Sequence, residues 1–210
     1  MMHIETHEVG FIEENCYFVI QPDTRQAVVI DPGADGARLL RHLKEQQATA
    51  AAFLITHGHT DHIGALAELS AAWPDAPIHI HRADAAWGFS PQNCIPGISP
   101  VPPKPRRALS FVQDGDTLDL IGGTWSCIGT PGHTPGGICW FLQEENALFT
   151  GDTLFRGSAG RTDLPGGDSR ILLSSLKTLA DRSGNPTLYP GHGAPTTLDH
   201  EKAHNYFLQF

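Results

Sequence analysis

No apolar run in the 210-residue chain approaches the length of a membrane-spanning helix. The N-terminal MMHIETHEVG lacks a basic segment followed by an apolar one, so no secretory leader is expected. The reading is a cytoplasmic protein without a membrane partner. Cysteine is sparse: Cys16, Cys94, Cys127 and Cys139 form neither a CxxC pair nor a tight framework. That argues against a disulfide scaffold and for four reduced thiols. Positive charge is short as well, with 14 basic against 23 acidic residues and a net charge of −9, which disfavours nucleic acid as a partner. A Gly-x-Ser-x-Gly elbow is missing too, so nothing marks a serine nucleophile.

What is present suits a globular fold: hydrophobic residues make up 40% of the chain. Apolar, β-branched runs at 15–20, 26–30, 51–55 and 78–81 predict strands, as do 117–121, 124–130, 137–142, 146–150 and 187–189. Helical spacing predicts helices over 37–47, 63–73, 169–181 and 197–208, with a helical turn at 83–87. Residues 90–107 hold six prolines and read as an irregular loop. Two batches of strands, each with helices, predict two sheets packed face to face with helices outside: an α/β, four-layer αββα sandwich. Without a repeat or a linker, residues 1–210 are expected to form a single domain.

Twelve histidines is an unusual count. Four metal-competent side chains fall within Thr56-His57-Gly58-His59-Thr60-Asp61-His62, where an apolar strand ends and a helix begins. In extended backbone His57 and His59 project to the same side, while Asp61 and His62 leave from the tighter backbone entering the helix. One segment can thus serve two adjacent ions. Three other short apolar runs also end in glycine-bearing turns, presenting His133 from PGHTPG, Asp152 from TGDT and His192 from PGHG. The remaining histidines (His3, His7, His42, His79, His81, His200 and His204) lack that setting and read as surface or core residues. Trp73, Trp87, Trp125 and Trp140 read as core residues.

HGHTDH at 57–62 with His133, Asp152 and His192 resembles the ligand set of the metallo-β-lactamase superfamily. LFTGDTLFRGSAGRTDLPGGD at 148–168 and GHGAPTTLDHEKAHNYFLQF at 191–210 are similar to the short, single-domain form of glyoxalase II, the hydroxyacylglutathione hydrolases. The resemblance implies two divalent metal ions, zinc first, with iron and manganese as the other candidates. It assigns His57, His59 and His133 to one ion and Asp61, His62 and His192 to the other, with Asp152 bridging. Asp31 in the DPG turn resembles an aspartate that orients a liganding histidine or the attacking water, although a plain turn residue would also fit.

The implied reaction is hydrolysis of a small-molecule thioester, S-lactoylglutathione, by water activated between the ions, with Asp61 and Asp152 as catalytic residues. Only 18 residues follow His192, so the helical glutathione-binding domain of longer relatives is not expected. Arg161 stands where those relatives place a glutathione-contacting lysine and is a candidate substrate contact; Arg156 reads as solvated. Asp163 replaces the tyrosine that would follow, which weakens the case for glutathione. Persulfide dioxygenases, using a single iron on His57, His133 and Asp152, are the nearest alternative. A β-lactamase or nuclease role fits less well. Outside enzymes, the alternative is a metal-binding protein with a vestigial site, but seven ligand candidates without cysteine favour open, catalytic coordination.

Overall fold

The computed structural model describes residues 1–94 and 99–210. Its first sheet runs in the order β1 (His3–Val9), β2 (Glu14–Ile20), β3 (Gln26–Ile30), β4 (Thr49–Leu54), β5 (Ile78–His81) and β6 (Leu109–Val112). β1, β2 and β3 pair antiparallel, and β3 through β6 pair parallel. Parallel neighbours need a crossover, and α1 (Gly36–Glu45), α2 (Thr60–Ile63) and α3 (Leu66–Ala72) supply the first two. A short α4 (Arg82–Ala85) follows β5.

The second sheet is ordered β7 (Thr117–Leu120), β8 (Gly123–Gly129), β9 (Ile138–Leu142), β10 (Ala147–Gly151), β13 (Thr187–Pro190) and β14 (Thr196–Thr197). A small hairpin, β11 (Leu154–Phe155) with β12 (Ser158–Ala159), lies between β10 and α5 (Ser169–Ala180). α5 crosses to β13, which pairs parallel with β10, and α6 (Leu198–His204) follows β14.

Three apolar layers hold these pieces together. Between the sheets, Tyr17, Val19, Ile30 and Leu54 meet Trp125, Trp140, Leu142 and Phe149. The other side of the first sheet buries Phe18, Val29 and Phe53 under Leu39 and Leu43 of α1 and Leu66 and Leu69 of α3. The other side of the second buries Cys139, Leu148 and Leu188 under Leu172, Leu176 and Leu179 of α5. This is the expected αββα sandwich. It explains why β2 reads as a continuous apolar run: both its faces are covered and all seven of its residues are buried.

Most predicted elements lie within two residues of their observed bounds, with instructive exceptions. The helix expected over 63–73 starts earlier, at Thr60, and breaks into α2 and α3 at Gly64 and Ala65. There the 31–33 turn presses in: the Ala65 N–H donates to the Pro32 carbonyl at 3.0 Å, and a Cβ on Gly64 would lie 2.3 Å from the Gly33 oxygen. The helix expected over 197–208 stops at His204 and resumes as a 3-10 turn at Tyr206–Leu208. Between them, buried Asn205 turns its Nδ2 to Glu201, Ser158 and Phe155. The expected loop at 90–107 falls partly outside the described residues; within them it holds a 3-10 turn at Pro91–Asn93. β1, β6 and the two-residue strands carry too little apolar alternation to be read from sequence. All four cysteines are free, and three of them are buried. No helix among the described residues is long and apolar enough to cross a membrane.

Candidate metal centre

The carboxyl ends of β3, β4, β8, β10 and β13 open onto one edge of the sandwich, and each continues into a turn that carries a candidate residue. Asp31 follows β3; His57, His59, Asp61 and His62 follow β4; His133 follows β8; Asp152 follows β10; His192 follows β13. Edge contacts stitch the turns together: the Ile138 N–H donates to the Thr56 carbonyl at 2.9 Å, and Gly191 N–H to Gly151 at 2.8 Å. Gly191 has no room for a side chain, since a Cβ there would sit 2.3 Å from Asp152 Oδ1.

Six of the seven predicted ligands converge as two triads. In one, His57, His59 and His133 each offer a ligand atom, all within 4.8 Å of one another. His59 Nδ1 and His133 Nε2 stand 2.9 Å apart. In the other, Asp61, His62 and His192 meet the same limit. Asp61 Oδ2 lies 3.5 Å from His62 Nε2 and 3.3 Å from His192 Nε2. Asp152 sits between them: Oδ1 is 3.3 Å from His62 Nε2, and Oδ2 is 3.5 Å from His133 Nε2 and 3.7 Å from His192 Nε2.

Four of the five rings are aimed by their other nitrogen. His57 Nδ1 is 3.1 Å from Thr56 Oγ1, and His133 Nδ1 donates to the Arg161 carbonyl at 2.7 Å. His62 Nδ1 donates to Asp31 Oδ2 at 2.9 Å, and His192 Nδ1 to the Ile12 carbonyl at 3.2 Å. Asp31 is buried, with a positive φ of 48°, a conformation that Asp and Asn tolerate best among residues with a Cβ. Its Oδ1 also accepts the Thr56 N–H at 2.8 Å. Asp31 thus contacts both His62 and Thr56.

Burial holds the imidazoles of His57 and His59 below the ordinary histidine value, His59 to about 4, and the neighbouring rings push the same way. Neutral imidazole is the form that binds metal. Burial alone would raise Asp61 and Asp152, yet His62 and the other rings hold both below the usual carboxylate range. His57 Nε2, His62 Nε2 and Asp152 Oδ1 are buried without a hydrogen-bond partner. Each such atom costs about 1–3 kcal/mol, a cost that a cation in contact with it would remove. An all-nitrogen-and-oxygen donor set with orphaned buried atoms therefore fits divalent transition metals.

Sequence reasoning passed over several residues that build this centre. Asp84 is fully buried and accepts from Gly58 N at 2.8 Å, Thr134 Oγ1 at 2.7 Å and Gly136 N at 2.7 Å, tying the His57–His62 turn to the His133 turn. Asn15 donates through Nδ2 to Pro190 at 3.0 Å and Gly193 at 2.8 Å, and the Tyr17 hydroxyl donates to Pro190 at 2.6 Å, fixing the turn that carries His192. Glu14 is fully buried, 3.6 Å from His62 Nδ1, with both carboxyl oxygens unpartnered; burial raises its pKa well above the ordinary value. An acidic residue opening an apolar strand was the signal that could have found it.

Arg161 lies at the rim with its side chain exposed. Its guanidinium pairs with Asp163, Nε to Oδ1 at 2.6 Å and Nη2 to Oδ2 at 2.7 Å, so its side chain faces Asp163 while its carbonyl serves His133. Trp87 is only partly buried and stands edge-on to His59, with ring centroids 5.4 Å apart, whereas Trp125 and Trp140 lie fully in the core.

Known proteins share this arrangement of chain. The chain is 34% identical to a probable metallo-hydrolase, YqgX, of Bacillus subtilis, over 95% of this chain and 94% of that protein. It is also 34% identical to the hydroxyacylglutathione hydrolase GloC of Haemophilus influenzae, over 99% and 98%. Among solved structures, the BLEG-1 B3 metallo-beta-lactamase matches with a TM-score of 0.90 at 34% identity, over 99% of this chain and all of that one. TTHA1623 in a di-iron-bound form matches at 0.81 with 34% identity, over 97% and 100%. ETHE1 from Myxococcus xanthus matches at 0.78 with 26% identity, over 98% and 84%. The sequence profile of the metallo-beta-lactamase superfamily matches residues 9–192, from β1 through the last candidate ligand, and the chain belongs to that superfamily.

Proposed function

We propose that this chain is a metal-dependent thioester hydrolase of the hydroxyacylglutathione hydrolase kind. The observation that carries the proposal is the position of Asp152, whose carboxylate reaches His133 of one triad and His62 and His192 of the other. His57, His59 and His133 would hold one divalent ion and Asp61, His62 and His192 the other, with Asp152 a ligand available to both; zinc is the first candidate and iron or manganese next. Divalent ions held there would supply a Lewis acid for the thioester carbonyl and make water nucleophilic at neutral pH.

The chain's own residues do the rest. Asp61, kept ionised by the surrounding imidazoles and partly open to solvent, holds the attacking water by accepting one of its protons in a hydrogen bond. Water adds across the acyl C–S bond: its oxygen goes to the carbonyl carbon, and a proton goes to the departing sulfur. Asp31 keeps His62 in the tautomer that presents Nε2 to the centre. Arg161 would receive a carboxylate of the substrate once it releases Asp163. The likeness to GloC supports glutathione as the carrier thiol.

The test is S-lactoylglutathione hydrolysis by the isolated protein, repeated after chelation and after restoring zinc, iron or manganese. Chelator-sensitive turnover that a metal restores is the expected result. The absence of turnover with every ion would overturn the proposal. The likeness to ETHE1 favours one second reading, persulfide oxidation on a single iron held by His57, His133 and Asp152. It predicts oxygen consumption with glutathione persulfide in place of hydrolysis. Because of the likeness to BLEG-1, a β-lactam belongs in the same substrate panel. Inactivity towards all three substrates would leave the vestigial metal-binding alternative.

A further inference from the structure

The β1 strand carries histidine and glutamate where a strand beneath a helix ordinarily carries apolar residues. Its register pairs His3 with Ile20, Glu5 with Phe18 and His7 with Cys16. Directly paired residues share a face, and Cys16, Phe18 and Ile20 all belong to the apolar layer under α1. His3, Glu5 and His7 therefore line that same face at i, i+2 and i+4, and His42 comes down to them from α1.

The side chains converge on one carboxylate. His42 Nε2 lies 2.7 Å and His7 Nε2 3.3 Å from Glu5 Oε2, while His3 Nε2 lies 3.2 Å from Oε1. The Glu5 and His7 side chains are mostly buried, His42 is about one-third exposed and His3 is open to water. The His7 ring packs on Phe18 at 4.4 Å and edge-on to His42 at 4.6 Å, which fixes both imidazoles in place. One ligand atom from each of Glu5, His7 and His42 falls within 4.8 Å of the others.

We propose that Glu5, His7 and His42 form a separate binding site for a divalent transition-metal ion such as Zn2+, outside the seven-residue centre. The spacing suits it: with bonds of about 2.0–2.1 Å, neighbouring ligand atoms of a tetrahedral zinc stand about 3.3 Å apart. Two imidazoles and a carboxylate supply three ligands, and exposed His3 or water completes the fourth position. The site's effect would be mechanical. β1 is the edge strand of its sheet, and an ion shared by Glu5, His7 and His42 clips that edge to α1. Ligands that bind only the folded state raise its stability in proportion to the logarithm of their concentration.

The test uses metal-loaded protein dialysed to equilibrium against Zn2+, with bound metal per chain measured by mass spectrometry and melting followed with and without added Zn2+. His7→Gln and His42→Gln are compared with wild type, and His200→Gln serves as a control because His200 and His204 form another exposed pair with ring centroids 4.7 Å apart. The expected result is one more Zn2+ in wild type and His200→Gln than in either site variant. Added Zn2+ should raise the melting temperature only where that ion is held. Turnover per chain stays the same in all four proteins, which separates this site from the catalytic centre. Equal metal counts and equal melting responses in wild type and both site variants would overturn the proposal. So would an extra ion lost only in His200→Gln.

Discussion

The two triads at the sandwich edge differ in make-up, three histidines in one and Asp61 with two histidines in the other, and they are held differently. His57 and His133 are buried, and a neighbouring hydroxyl and a backbone carbonyl within the sandwich edge aim them. Asp84 binds their two turns to each other. In the second triad His62 is equally buried and is aimed by the Asp31 carboxylate. His192, however, is partly exposed and is aimed by the carbonyl of Ile12, in the turn between β1 and β2. Affinity should follow this asymmetry: the triad whose turns Asp84 ties together keeps its ion, and the triad closed by the partly exposed His192 loses its ion first.

The largest way to break the comparison is to remove what both halves share. Asp152→Ala should lower turnover at least about a thousandfold, roughly 4 kcal/mol of barrier, and reduce bound metal at both triads. Steady-state kinetics with metal analysis would show this, and near-wild activity would contradict the bridging role. Asp84→Ala strikes the first half through its support. It strands three buried donors, so denaturant unfolding should show a loss of about 3 kcal/mol or more. Metal at the first triad should weaken with it.

Asp31→Asn strikes the second half most directly, because Asp31 pairs with His62 itself and reaches His57 only through Thr56. Asn accepts the same positive φ, but it is a weaker acceptor for the His62 N–H, so affinity for the second ion should fall about 10–100-fold while the first stays bound. Stepwise chelation followed by metal counting checks it, and equal loss of both ions would remove the asymmetry. Asp163→Asn has the smallest expected effect. It frees the Arg161 guanidinium and should lower KM for an anionic thioester a few-fold, with kcat unchanged; an unchanged KM would take Arg161 out of substrate binding.

Much of this centre was legible in the chain because its ligands sit on short, self-contained signals. Alternation at His57 and His59, a helix start at Thr60 and glycine-bearing turns at 131–136, 151 and 191–193 are local features, set by backbone periodicity and turn chemistry. The supports were hidden for the opposite reason. Asp84 looks like any acidic residue in a helical turn, and Asn15 like one polar residue in an apolar strand; only their partners, 50 and 175 residues away, give them a task. His7 and His42 likewise looked like scattered histidines until β1 paired with β2 and α1 covered it.

The sequence by itself determined most of the strands and helices, the layered sandwich they form and the residue types offered at one edge, because these follow from hydrophobic pattern and local backbone geometry. Tertiary structure alone decided which nitrogen of each histidine points inward, that the Asp152 carboxylate reaches both triads, and that Arg161 turns to Asp163. Those outcomes depend on ångström-scale distances between segments far apart in the chain, which packing sets and no local pattern encodes.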